Sequence, residues 1–144
     1  MTTELLVQGK YGFGTGLNLP YEQAVEQVTQ ALKDEGFGVL TTIDVKETMR
    51  QKLGVDFERY VILGACNPQL AHQALTIEHD LGLLLPCNVI VYERAANKSA
   101  VMVADPVAML GVVDSESLQR IAREARERLE RVIKKLHDRA AALA

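Results

Sequence analysis

The residues of this 144-residue chain best suited to chemistry are Cys66, in Ala65-Cys66-Asn67-Pro68, and Cys87, in Leu85-Pro86-Cys87-Asn88. Each thiol stands next to a proline or a cap residue at the margin of an apolar run, so both are expected at strand ends. Asn67 suits a helix N-cap, and Pro68 suits the first helical position, where its missing N–H costs nothing. Cys66 would then face free backbone N–H groups and the positive end of a helix dipole. That surrounding favours thiolate, the form in which cysteine attacks or binds metal, and it can hold a carboxylate or phosphate. His72, about a turn and a half further along the same helix, is the candidate general base of a Cys–His dyad. If the strands beginning at Arg59 and at Cys87 are neighbours, the two sulfurs converge. The candidate site is therefore Cys66, Asn67, Pro68, His72, Pro86, Cys87 and Asn88.

Other roles compete for the same residues. Free cysteine commonly serves as a small buried apolar filler, with Asn67 as cap and Asn88 as turn former. A reactive pair would use Cys66 with Cys87 as resolving thiol, although no Cys-x-x-Cys is present. A metal site of both thiols with His72 or His79 matches no familiar zinc spacing, and two cysteines cannot build a four-thiolate centre. No metal or cofactor is expected. His79 and Asp80 are adjacent and point apart on a helix, and His137 belongs to a charged terminal helix, where it reads as surface. The carboxylate pairs Glu22/Glu26 and Glu127/Glu130 fall on solvated faces. No catalytic constellation emerges, so whether the chain is an enzyme stays open at this point.

The elements that must position these residues alternate along the chain. Val7 to Leu17 reads as a strand, with Tyr11, Phe13, Thr15 and Leu17 on one side and Gly12, Gly14 and Gly16 leaving the other bare. A bare glycine face implies close approach, by a helix or partner strand in preference to a ligand. Its G-x-G-x-G lacks the Walker lysine and opens no helix, which excludes a phosphate loop. A helix follows Pro20 on Ala24, Val25, Val28 and Leu32, ending at Gly36. Gly38 to Ile43 is a strand, and Asp44 with Glu47 has capping-box spacing for a short helix that stops at Gly54. Arg59 to Ala65 and Val89 to Tyr92 are apolar runs without alternation, which implies cover on both sheet faces. The helix after Pro68 lies between them, and a turn at residues 95–98 leads into a strand from Ser99 to Val103. Pro106 to Val113 is an apolar connector. The last helix, capped by Asp114 or Ser115, carries Leu118, Ile121, Ala122, Ala125, Leu129, Val132, Ile133 and Leu136 at helical spacing. Its charges predict the i,i+4 pairs Glu116–Arg120, Glu124–Arg128, Glu127–Arg131 and Glu130–Lys134.

This order predicts a single α+β domain over residues 1–144: two layers, a largely antiparallel sheet, and helices mainly on one face. Helix enough to cover only one face, with strands apolar on both, predicts a homodimer in which a second subunit completes the core. The composition, 48% apolar and 24% charged, excludes a disordered chain. Net charge is −3, and the basic residues after Asp114 are interleaved with acids, which argues against nucleic acid as a partner. No stretch reaches the length of a membrane span, and Met1-Thr2-Thr3-Glu4 lacks the basic start of a secretory signal, so the cytoplasm is the expected compartment.

The paired motifs Cys66-Asn67-Pro68 and Leu85-Pro86-Cys87-Asn88, after a β-α-β unit containing Gly36-Phe37-Gly38-Val39-Leu40, resemble those of the domain-of-unknown-function 302 family. The resemblance runs from about Tyr11 to Leu136. It implies a small bacterial or archaeal α+β domain of TATA-binding-protein-like architecture, dimeric, with no activity and no catalytic residue to carry over. The sequence reading is thus a dimeric module that binds a small molecule or partner beside Cys66 and Cys87. The alternatives are a thiol enzyme or redox protein, and a metal-binding protein.

Overall fold

A computed structural model of the chain describes residues 6–143, with side chains described from 7 to 139. Six strands form one antiparallel sheet: β1 (Leu6–Gln8), β2 (Gly12–Leu17), β3 (Gly38–Asp44), β4 (Tyr60–Cys66), β5 (Cys87–Ala95) and β6 (Lys98–Ala104). Their spatial order is β1-β2-β6-β5-β4-β3. The helices are α1 (Tyr21–Asp34), α2 (Val45–Leu53), α3 (Pro68–Ile77), the single turn α4 (Pro106–Met109) and α5 (Glu116–Leu143), with a 3₁₀ turn at His79–Leu84.

Local chemistry explains most boundaries. Asp44 accepts from the Glu47 N–H and starts α2, and Gly54, at φ +67°, ends it in the left-handed conformation open to glycine. Asn67 accepts from the Leu70 N–H with Pro68 behind it, which starts α3. Ser115 accepts from the Leu118 N–H and caps α5. The single strand expected over Val7 to Leu17 is instead a hairpin: the Gly9 N–H donates to the Gly12 carbonyl at 2.7 Å, and β1 folds back on β2. The bare glycine side of β2 receives the backbone of β6. A Cβ on Gly12 would fall 1.9 Å from the Val103 carbonyl oxygen, and one on Gly14 1.8 Å from that of Val101.

α1 and α5 cover one face of the sheet. Phe13, Leu63, Val89, Val91, Val101 and Val103 meet Val28, Leu32, Leu129, Val132 and Ile133 there, in one buried cluster. A second cluster, of Ala74, Leu81, Leu110, Leu118 and Ala122, joins α3 to the first turns of α5. Ile121 packs against both. The C-terminal half of α5 is tied to the end of α1 by Arg131–Glu35 and Lys135–Asp34 ion pairs. Of the four i,i+4 pairs expected on α5, Glu124–Arg128 forms; Arg131 goes to Glu35, while Arg126 reaches Asp105 at 3.1 Å and Lys134 reaches Asp138. Arg131 thereby gains a partner, Glu35, that is largely shielded from solvent, whereas Lys134 exchanges one exposed i,i+4 contact for another.

Candidate functional site

β4 and β5 pair so that Ala65 stands opposite Cys87. Cys66 is thus one residue beyond that pair, and the two cysteines lie at the same end of neighbouring strands. The expected convergence of the sulfurs depends on this adjacency. Cys87 follows Val89 and Val91 toward the helices, and Cys66, the last residue of β4, lines the same cavity as Cys87.

Both cysteines line a small apolar cavity of about 50 Å³ at the seam of the two buried clusters. Phe37, Ala65 and Leu70 wall it on one side and Ala74, Leu81 and Ala122 on the other. Pro86 lines its rim, after a cis Leu85–Pro86 bond. A water-sized sphere takes roughly 10–15 Å³, so the space admits a short apolar group. Asn67 lines it too, but its Oδ1 is committed to the Leu70 N–H at 3.1 Å.

The electrostatics reverse the expectation of an activated thiol. Burial pushes the Cys66 thiol up, and burial together with the nearby Cys66 sulfur pushes Cys87 up to about 11. Desolvation of the charged form outweighs the helix dipole, because the walls offer no cation and little polarity. Both cysteines are free. They are neutral thiols at pH 7, which are weak nucleophiles and weak metal ligands.

Three of the expected site residues do not line the cavity. His72 is exposed and faces a groove between α3 and α5 with Thr76, Arg120 and Glu124, so no Cys–His dyad forms. Asn88 is exposed on the opposite sheet face, opposite Gly64, because odd and even residues of β5 face opposite ways. Pro68 is exposed and acts through the start of α3. Among the described residues, no group of three or more His, Cys, Asp or Glu side chains could hold a metal ion.

One buried polar contact departs from the sequence expectation. His137, expected at the surface, is 5% exposed, and its Nδ1 lies 3.3 Å from the Thr15 hydroxyl of β2. The sequence does carry a signal for it: His137 follows Ile133 by four residues and so continues the apolar stripe of α5. Asp105 is also buried; it accepts from the Val107 N–H, starts α4 and pairs with Arg126. The Arg126 guanidinium in turn lies 5.6 Å from the centre of the Phe13 ring.

A six-stranded antiparallel sheet with helices packed on it, two half-buried cysteines and a small apolar cavity define an α+β domain. The family model for the domain of unknown function DUF302 matches residues 13–136, and the chain belongs to that family. It is similar to the crystal structure of an uncharacterised conserved DUF302 protein from Bacillus stearothermophilus. The TM-score is 0.80 and the identity 29%, over 89% of this chain and 99% of that one. No curated protein matches.

Proposed function

We propose that the chain is a cytoplasmic, homodimeric binding module whose cavity beside Cys66 and Cys87 takes a small, uncharged, apolar group of a metabolite or partner. The observation that carries this reading is the lining: apolar side chains, two thiols that burial keeps neutral, and an asparagine whose Oδ1 is already committed to a helix cap. Apolar sites with few polar groups are the usual form of small-molecule pockets. A reducing compartment fits two unpaired thiols. The thiol-enzyme alternative needs a thiol pKa below the usual range, and both shifts run upward. The metal alternative would have two neutral thiols and no third ligand from His72, which faces a different groove.

Thermal unfolding with a panel of short-chain alcohols, ketones and small aromatic molecules tests the proposal. A ligand at about one hundred times its Kd stabilises by roughly 2.7 kcal/mol, which raises Tm by several degrees in a chain of this size. Ala122→Leu, which fills the cavity, should abolish the shift while the variant remains folded. A panel that shifts neither protein, or shifts both equally, sinks the reading.

A further inference from the structure

The broad face of the sheet turned away from α1 and α5 is largely apolar. The registers align Ile43 with Ile62, Ile62 with Ile90, Ile90 with Met102 and Met102 with Gly14, one uncharged row across five strands. Beside the Ile90–Met102 pair, Gly12 stands opposite Ala104, so that position of β2 and β6 carries no more than a methyl group. The step between long and short side chains is an apolar trough of about 230 Å³, lined by Ile90, Met102, Ala104 and Asn88 and by the β1–β2 turn. The turn lies against Met102: a Cβ on Gly9 would fall 3.6 Å from the Met102 Cε. On the measure by which one water takes about 10–15 Å³, the trough holds on the order of fifteen water-sized spheres. It shares no lining residue with the thiol cavity.

The same turn brings a positive charge to the trough. Lys10 lines it, is exposed, and forms no ion pair among the described residues. No acidic side chain lines the trough beside it. The Gly9 N–H is committed to the Gly12 carbonyl, but the N–H groups of Lys10 and Tyr11 have no hydrogen-bond partner among the described residues. One end of an apolar recess therefore carries an ammonium and two unengaged backbone donors. We infer that this trough binds a free monocarboxylate with an apolar body of roughly ten non-hydrogen atoms. The body covers Ile90, Met102 and Ala104, and the carboxylate meets Lys10 at the turn. A carboxylate is an acceptor-only group and complements a site of donors alone. An uncharged body would strip water from the ammonium and return nothing, and a cationic one would be repelled. A single lysine suits a single negative charge. Asn88, which does not line the thiol cavity, has its place here. The inference does not depend on the proposed function, whose site lies among other residues.

Isothermal titration calorimetry of the full chain with octanoate, 1-octanol and octylamine tests it. Octanoate should bind with a Kd of roughly 0.1 mM, octanol about fivefold more weakly, and octylamine more weakly again. Lys10→Glu should cost octanoate about tenfold and spare octanol. Arg94→Glu changes a charge that reaches over Gly16, outside the trough, and should alter neither. Ala104→Leu fills the recess and should abolish binding of all three. The inference is overturned if octanoate does not bind, if it binds no tighter than octanol, or if Lys10→Glu and Arg94→Glu weaken it equally. If Ala104→Leu does not fold, NMR spectra of the wild type replace it. Octanoate should then shift the amide signals of Lys10 and Tyr11 and the methyl signal of Met102. Shifts confined to Leu70, Ala74 and Ala122 would put the acid in the thiol cavity, which overturns this inference and leaves the proposed function standing.

Discussion

Burial against apolar neighbours, with Cys66 close by, holds the Cys87 thiol at about 11, well above its value of 9.0 outside the fold. Because the fold favours the protonated form, this contribution to stability is fully present below pH 9 and is lost as pH rises through 11. A rise from 9.0 to about 11 corresponds to about 2–3 kcal/mol. Urea unfolding of the wild type should therefore weaken by about that much between pH 8 and pH 11 relative to Cys87→Ala. If the two proteins share one pH profile, the site is not as closed as described. Iodoacetamide at pH 8 should modify Cys66 ahead of Cys87 in the native state, as read by mass spectrometry. His137 makes a second claim at this scale. His137→Ala removes a buried ring and a partner of the Thr15 hydroxyl, and should cost about 2–3 kcal/mol with an unchanged urea m-value.

At the scale of elements, sequence signals are clearest where one residue fixes a backbone end. Asp44 and Gly54 bound α2, and Asn67 with Pro68 begins α3, each through a short-range interaction that needs no tertiary knowledge. The β1–β2 hairpin is not legible, because its turn at residues 9–11 carries only one glycine inside a run that otherwise alternates. The candidate site is legible in part for the same reason. Strand adjacency brings Cys66 and Cys87 to one end, but directions set by strand parity and helix phase remove Asn88 and His72. Gly12 and Gly14 of β2 mark close approach, as their bare face implies, and they yield a test. Gly14→Ala puts a methyl against the Val101 carbonyl and should destabilise by more than about 3 kcal/mol. Gly38→Ala, with no atom within 4 Å of the added carbon, should be close to neutral in the same urea experiment.

At the scale of the molecule, the two buried clusters meet at Ile121 and along the walls of the cavity. This continuity predicts one cooperative thermal transition, with far-UV and tyrosine signals superimposed. Two separated transitions would show that the α3–α5 end melts independently. The sheet margins carry a different consequence. β1 has three residues, and β3, though exposed along almost its whole length, is interrupted by a bulge at Leu40 between Val39 and Thr41. Short or kinked margins are poor templates for extended peptides. The architecture therefore discourages the endless strand-by-strand growth that produces fibrils, while its broad apolar face stays open to a closed, finite assembly.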